Sequence, residues 1–344
     1  MNTDLMLRYI EDTPNAITDL LDTFERVYSK DKLPAAKNIV FIGSGSSFNT
    51  ARQVTFFYEN YLGLNTQVYY PDTFLSIREL NLSKQSTLIV VISETGTSTY
   101  TNMALSKARK DGYKTIALTQ YKNAPLANNC DYYFNFCCGE ENCNAKTKGY
   151  TNNLILLYLL GTMLANTSFD SSKLIKEIEE IKKEVKDLIG SFPLWFSKHH
   201  ELVRMNNILV VGAEPYLGAT KEAALKMSET MLVQSSFTTA EEFPHGFHRP
   251  VNQNSNIFLI NSTAYPLEKT TNYFQTKINN MILINTVDKQ NGDFNIKKHK
   301  YYLEAITIGI VFQLFAYYIP TYLGLDPNRN ANDDYDELIK NRLT

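Results

Sequence analysis

Short β-branched runs alternate with amphipathic stretches along the first half of the chain. The runs predict strands at Asn38–Gly43, Thr66–Tyr70, Leu88–Ser93, Lys114–Thr119 and Asp131–Phe136. Helical patterns cover Ser47–Leu62 and Thr99–Asp111. Alternation at this spacing is typical of right-handed βαβ crossovers. The first half therefore predicts a parallel sheet with helices on both faces.

The second half repeats this plan. Gly212, which ends another apolar run, follows Gly43 by 169 residues, and Ser262 follows Ser93 at the same offset. Strands that match in one order at nearly one offset indicate a duplicated domain. The predicted fold class is therefore α/β, with two tandem doubly wound parallel-sheet domains.

The boundary between the two predicted domains falls in a charged stretch. We expect the first domain, with an N-terminal helix, over residues 1–166, and the second over residues 167–344. Ser168–Gly190 has the pattern of a connector helix. The second domain is expected to end with a helix and a tail.

Composition mainly excludes classes of function. The chain has 344 residues, 44% hydrophobic and 20% charged, with a formal net charge of −2. This charge gives no basic footprint for nucleic acid. The N-terminus lacks the layout of a signal peptide. Ala305–Leu325 is apolar but interrupted by polar residues and Pro320, so we interpret it as a buried helix and not as a membrane span. We expect a cytoplasmic location without membrane or nucleic-acid partners.

The four cysteines lie close together, at positions 130, 137, 138 and 143. They lack the paired C-x-x-C spacing of structural zinc, so reduced thiols are favoured over a metal site or a disulfide framework. The first 129 residues contain no cysteine. An N-terminal cysteine nucleophile for glutamine hydrolysis is therefore not expected.

Two hydroxyl-rich loops, Gly43–Ser47 and Ser93–Thr99, each follow a predicted strand and enter a helix. Ligands of open α/β sheets collect beyond the carboxyl ends of the strands, where helix N-termini attract anions. Helix capping alone would need one hydroxyl per helix. The first loop departs from the dinucleotide fingerprint at Phe48, and the chain has no G-K-[ST] loop. The loops therefore predict a site for a small phosphorylated ligand.

The second half carries the candidate acid–base groups. Glu222, Lys226 and Glu229 have i, i+4, i+7 spacing on a predicted helix, which by itself is typical of a solvated ion-pair face. A Pro- and Gly-rich loop follows, with His245 and His248. Their surroundings do not fit a zinc motif. A loop histidine remains a reasonable general acid or base.

Five ordered motifs, G-S-S-F-N, S-E-T-G-T-S, A-K-T-K-G-Y-T, E-A-A-L-K-M-S-E and E-E-F-P-H-G, carry a resemblance over nearly the whole chain. The chain resembles the tandem SIS (sugar isomerase) domain family. Within it, the chain is most similar to the isomerase half of glucosamine-6-phosphate synthase and to the fructosamine-6-phosphate deglycases. The resemblance implies flavodoxin-like domains, a sugar-phosphate ligand, no cofactor or metal, and a homodimer with a shared active site.

The resemblance also implies a role for individual residues. Glu229 matches the carboxylate that moves a proton between C1 and C2 of the open-chain sugar. His245 matches the histidine that assists ring opening, supplied by the partner subunit. The positions implied to bind substrate are Gly45, Ser46, Ser47, Ser93, Thr95, Ser98, Glu222 and Lys226.

Three departures from the synthase pattern narrow the expected activity. Its lysine in the C-terminal tail has no match here, and Lys340 is the nearest candidate. Glu94 replaces a neutral residue, and Phe247 replaces a proline. We expect an isomerase, or an enzyme that releases an amine from an amino-sugar or glycated-amine 6-phosphate, and not a glutamine amidotransferase. The alternative hypothesis is a non-catalytic regulator that binds a phosphosugar.

Overall fold

A computed structural model describes residues 4–28, 33–165, 169–199, 206–287, 291–339 and 341–343. The strands in this part of the chain are β1 (Asn38–Ile42), β2 (Asn65–Tyr69), β3 (Thr87–Ile92), β4 (Lys114–Leu118), β5 (Tyr132–Phe134), β6 (Asn207–Gly212), β7 (Gln234–Thr239), β8 (Asn256–Asn261), β9 (Asn280–Asn285) and β10 (Phe294–Asn295). The helices are α1 (Leu5–Glu11), α2 (Thr13–Val27), α3 (Ser46–Leu62), α4 (Pro71–Ser76), α5 (Thr99–Lys110), α6 (Pro125–Asn128), α7 (Lys148–Leu164), α8 (Ser171–Phe196), α9 (Leu217–Met231), α10 (Glu268–Phe274), α11 (Glu304–Tyr322) and α12 (Asp333–Ile339).

The strands form two five-stranded sheets, and every strand pair in them is parallel. The amino-terminal sheet has the order β2-β1-β3-β4-β5. The carboxyl-terminal sheet, read from β7, has the corresponding order β7-β6-β8-β9-β10. This is the doubly wound, flavodoxin-like order. The predicted fold class, α/β with two parallel sheets of this type, is confirmed.

Two compact units contain the sheets, and each unit is built from separate pieces of chain. The amino-terminal sheet unit consists of residues 15–141, 148–176 and 330–344. The carboxyl-terminal sheet unit consists of residues 1–14, 142–147 and 177–329. Short segments near residue 142 and at the C-terminus therefore belong to a different unit from their neighbours in sequence.

Each sheet has a central strand that is buried along its whole length. All six residues of β3 and all six of β8 are buried, which explains their continuous apolar pattern. In the carboxyl-terminal sheet unit, α11 packs on α9. The stretch Lys300–Tyr322 is long and apolar enough to cross a membrane, but 89% of its most apolar window is buried inside the protein. The expectation of a buried helix there is confirmed.

The sequence placed most elements within one or two residues. The predicted strands that ended at Gly43 and Ser93 end one residue earlier, because these two residues begin the loops at the sheet edge. The charged helix predicted at Ser168–Gly190 is α8, which continues to Phe196 through an aromatic stretch. Ser168 lies outside the described residues.

Candidate functional site

The two hydroxyl-rich loops lie side by side in the amino-terminal sheet unit. They follow β1 and β3, which pair directly, with Ile42 opposite Val91. Because β2 lies on the other side of β1, this is the point at which the strand order reverses. Open α/β sheets bind their ligands at that crevice. The two loops therefore follow neighbouring parallel strands at one edge of the sheet.

In the first loop, the backbone turns sharply into α3. Gly45 is the N-cap residue, and its φ of 54° lies in the left-handed region that favours glycine. Ser46 and Ser47 form the first turn of the helix and are half-buried. Their position at the N-terminus of a 17-residue helix is suited to an anion.

In the second loop, hydroxyl groups and amides hold the backbone in place. The Ser93 hydroxyl accepts a hydrogen bond from the Gly96 N–H at 3.2 Å. Gly96 has a φ of +67°, and a Cβ there would lie 2.5 Å from the Cβ of Ala124. The Thr95 and Thr97 hydroxyl oxygens are 3.0 Å apart. A glycine is required in this turn, and the hydroxyls beside it have a defined arrangement.

Ser98 is the N-cap residue of α5, and its backbone pairs with the C-terminal segment of the chain. Its hydroxyl accepts a hydrogen bond from the Thr101 hydroxyl at 2.9 Å. Ser98 also forms an isolated antiparallel bridge with Arg342. The Thr99 N–H donates to the Asn341 carbonyl at 3.0 Å. Sequence reasoning compared this tail only with a lysine, and it missed the backbone pairing with the second loop.

The predicted catalytic helix is α9, in the carboxyl-terminal sheet unit. Lys226 lies between two carboxylates, 3.1 Å from Glu222 Oε1 and 2.6 Å from Glu229 Oε2. The side chains of Lys226 and Glu222 are only 1% and 2% exposed, whereas that of Glu229 is 32% exposed. The solvated ion-pair face that the spacing favours is therefore wrong. This is a buried triplet with one accessible carboxylate.

Burial raises the pKa of the Glu229 carboxyl, and the positive charges of Lys226 and Lys146 act against this rise. Burial opposes the charge of Lys226 as well, but Glu222 and Glu229 together raise the pKa of its ammonium above the ordinary value. Lys226 therefore stays cationic beside the carboxylates. A carboxylate with a raised pKa is a stronger base than an exposed one, which suits proton abstraction.

Lys146 is a residue that sequence reasoning did not single out. It lies in the segment 142–147, which belongs to the same compact unit as Glu229. Two hydrogen bonds hold this segment: Thr147 O accepts from the Gln313 amide at 3.2 Å, and the Asn144 amide donates to Asn328 O at 3.3 Å. The motif A-K-T-K was a signal for this position, but its sequence distance from α9 concealed the electrostatic contact.

His245 ends a short 3-10 turn that begins at the buried Phe243. Its imidazole is 66% exposed, and Nε2 is 3.8 Å from Glu241 Oε1. The nearby His248 has its Nδ1 3.3 Å from the Phe243 carbonyl oxygen. Both histidines are exposed, and His248 also contacts the backbone of its own loop.

Of the residues that depart from the synthase pattern, the structure describes Glu94 but not Lys340. Glu94 is half-buried, and its charge is the second cause, after burial, of the raised pKa of the Cys138 thiol. The carboxyl carbon of Glu94 would lie 3.5 Å from a Cβ added to Gly149, so the side chain extends toward the start of α7. Lys340 lies outside the described residues.

The corresponding edge of the carboxyl-terminal sheet is different. Ser262, the sequence match of Ser93, is buried and accepts a hydrogen bond from the Tyr265 N–H at 3.3 Å. Behind β6 the chain reads Ala213-Glu214-Pro215-Tyr216, without the glycine and hydroxyl run of the first loop. The two sheets share their strand order, but the run of glycines and hydroxyls follows a strand only in the amino-terminal sheet.

Comparison with known proteins identifies a SIS domain. The SIS domain model matches residues 32–163, the segment that contains both hydroxyl-rich loops. Glutamine–fructose-6-phosphate aminotransferase [isomerizing] of Sulfurisphaera tokodaii is 25% identical over 95% of this chain and 55% of its own length. The chain thus spans about half the length of the curated relatives that it matches.

Solved structures agree over almost the full chain. A protein of Clostridium difficile 630 that was proposed to be a phosphosugar isomerase is 28% identical, with a TM-score of 0.87 and coverage of 97% of this chain and 98% of that one. The C-terminal domain of glucosamine-fructose-6-phosphate aminotransferase from Francisella tularensis is 21% identical, with a TM-score of 0.80 and coverage of 95% and 98%. The latter likeness shows the fold alone.

The buried triplet makes a prediction about stability. Lys226→Met leaves Glu222 and Glu229 without their cation, and we expect the free energy of unfolding to fall by about 3–5 kcal/mol in urea titrations. Adding Glu222→Gln should restore part of the loss. Lys221→Met, on the same helix but outside the triplet, is the matched control. Equal stability of Lys226→Met and Lys221→Met would contradict the role assigned to Lys226.

Proposed function

We propose that this SIS-domain chain catalyses aldose–ketose isomerisation at C1 and C2 of a 6-phosphosugar. The supporting observation is the triplet on α9, in which Glu229 is the only partly exposed carboxylate and is paired with a buried lysine. Isomerisation needs one carboxylate that removes a proton and returns it to the neighbouring carbon through an enediol. No cofactor is required for that step.

In the proposed reaction, the substrate phosphate binds to the loops after β1 and β3. The N-termini of α3 and α5, together with glycines that let the backbone approach, support an anion there. Glu229 then transfers the proton between C2 and C1, while Lys226 keeps it a carboxylate. We further propose that the two sheets are two SIS domains in tandem.

Amine release is a second candidate reaction, because Glu94 adds a negative charge within the second loop. A carboxylate favours a cationic amine, and release of an amine from a glycated-amine or amino-sugar 6-phosphate begins with the same proton transfer at C1 and C2. A substrate panel that contains both 6-phosphosugars and glycated-amine phosphates, followed by NMR, separates isomerisation from amine release. Binding without turnover of any substrate would favour the regulatory alternative.

We propose the cytoplasm as the compartment, since all four cysteines are free thiols in this structure. We further propose a homodimer, because the exposed imidazole of His245 is available to a second subunit. In that arrangement His245 protonates the ring oxygen of a sugar held by the partner.

The base can be tested by Glu229→Gln, which is nearly isosteric but cannot accept the proton. We expect binding of the phosphosugar to persist and exchange of the C2 proton in deuterated water, followed by NMR, to be lost. Glu268→Gln, at an exposed position of α10, is the control and should exchange like the wild type. Exchange that survives in Glu229→Gln would remove this residue from the base role.

The phosphate site can be tested by the double substitution Ser47→Ala with Ser98→Ala. Hydrogen bonds to a charged group contribute about 1.5–3 kcal/mol each, so affinity for a 6-phosphosugar should fall by at least tenfold in calorimetry. The unphosphorylated sugar should be affected far less. Ser83→Ala, at an exposed site before β3, serves as the control. Unchanged affinity of the double variant would place the phosphate elsewhere.

The shared active site can be tested by complementation. Glu229→Gln and His245→Asn should each be inactive alone. Co-expressed, they should form mixed dimers with one intact site each, and recover about a quarter of the wild-type activity of a two-site dimer. Recovery would be absent if both residues act within one subunit.

A further inference from the structure

A buried histidine and three glutamates form a cluster that the proposed reaction does not use. His299 lies between β10 and α11, and its side chain is only 1% exposed. Its Nδ1 is 2.9 Å from Glu177 Oε2, and its Nε2 is 3.0 Å from Glu184 Oε2. Both glutamates are on α8. Both ring nitrogens therefore face carboxylates.

A third glutamate of the same helix face completes the cluster. Glu177, Glu180 and Glu184 are spaced i, i+3, i+7, so they share one side of α8. One ligand atom each from Glu177, Glu180 and His299 lies within 4.8 Å of the others. Glu180 is half-exposed and pairs with Lys297 at 3.1 Å. The cluster thus contains one nitrogen and two oxygen donors within 4.8 Å of one another, the donor types of a mixed-ligand metal site.

The simpler explanation is a histidine cation held by two ion pairs. Around this imidazole lie four carboxyl groups, with two lysine ammonium groups beside them: Glu177, Glu180, Glu184 and Glu304, with Lys297 and Lys298. Glu304 Oε1 accepts the backbone N–H of His299 at 2.9 Å, and its buried Oε2 has no hydrogen-bond partner among the described residues. Carboxyl groups thus outnumber the lysine ammonium groups around this imidazole, a setting that suits a bound cation.

We propose that His299, Glu177 and Glu180 bind a divalent first-row transition metal ion of the zinc or manganese type. Mixed imidazole and carboxylate donors suit these ions better than magnesium or calcium, which take oxygen ligands. The metal binds the Nδ1 lone pair, and Lys297 leaves Glu180. This inference does not depend on the proposed reaction.

Glu184 is a partner of the imidazole in this site and not a proposed ligand of the metal. A histidine that binds a metal through one ring nitrogen usually donates the N–H of the other to a carboxylate, which sets the tautomer and the ring orientation. Glu184 holds Nε2 in this way at 3.0 Å. Ligand atoms of a tetrahedral ion with bonds near 2.1 Å lie about 3.4 Å apart. Glu180 is the most exposed of the three glutamates, and it closes the remaining distance by leaving its ion pair with Lys297.

The bound ion would fasten α8 to the segment before α11. Since α11 packs on α9, the metal would stabilise the unit that carries Glu229 without touching that residue. Binding to the folded state alone raises its stability in proportion to the logarithm of metal concentration. A stabilising, non-catalytic site is therefore the expected role.

The test begins with the full chain freed of metal by a chelator. Zn²⁺ alone, titrated by calorimetry, should bind one ion per chain and raise Tm, whereas Mg²⁺ should do neither at equal concentration. Co²⁺ should give visible absorption bands of a nitrogen- and oxygen-ligated site. Absence of one-to-one Zn²⁺ binding would overturn the proposal and leave the ion-paired histidine as the explanation.

Surface variants keep the test independent of folding. Glu180→Gln should weaken Zn²⁺ binding by about tenfold or more, while Glu179→Gln, its neighbour on the helix paired with Lys182, should leave it unchanged. Lys297→Met removes the competing ammonium and should tighten binding. Equal affinities of Glu180→Gln and Glu179→Gln would show that the ion binds elsewhere and would contradict the proposed ligands.

Discussion

The ion triplet on α9 is the interaction on which the rest of the candidate site depends. A buried lysine is tolerated only if its charge is compensated, and two carboxylates at 3.1 and 2.6 Å supply that compensation. Glu222 is buried with the lysine and serves mainly to hold it. Glu229 keeps an accessible oxygen edge while being held in one orientation. The free energy of desolvating these charges is offset within the triplet. The result is a Glu229 carboxylate that is held in one orientation with an exposed edge.

The two sheets share one strand order but differ in the loops at their carboxyl edges. At the reversal point of the amino-terminal sheet, glycines and hydroxyls surround two helix N-termini. At the corresponding edge of the carboxyl-terminal sheet, Ser262 is buried and takes the backbone N–H of Tyr265. Strand order fixes where a ligand can bind in such sheets. The loop residues decide whether a ligand binds there. In the carboxyl-terminal sheet unit, the candidate proton-transfer group lies on a helix face and not on such a loop.

Most of the fold could be predicted from the sequence, because buried parallel strands have continuous apolar runs and helices have a different period. The hydroxyl loops were predictable for the same reason, since their place follows from strand ends. The burial of Lys226 was not, because i, i+4 spacing is the same on a solvated helix and a buried one. The places of Lys146 and of Asn341, which contacts Thr99, depend on short chain segments that belong to a compact unit distant in sequence. The periodicity of a sequence carries no information about such contacts.

The same limit of sequence periodicity explains why the cluster of His299 with three glutamates could not be predicted. Glu177, Glu180 and Glu184 read as the charged face of a connector helix, and His299 is 115 residues from Glu184 along the chain. Only packing turns this face toward a buried imidazole. A charged helix face therefore has two possible environments. In the first it is solvated, and in the second it packs against a buried partner for its charges. The α8 and α9 helices both belong to the second class, since each places carboxylates around a buried imidazole or ammonium group.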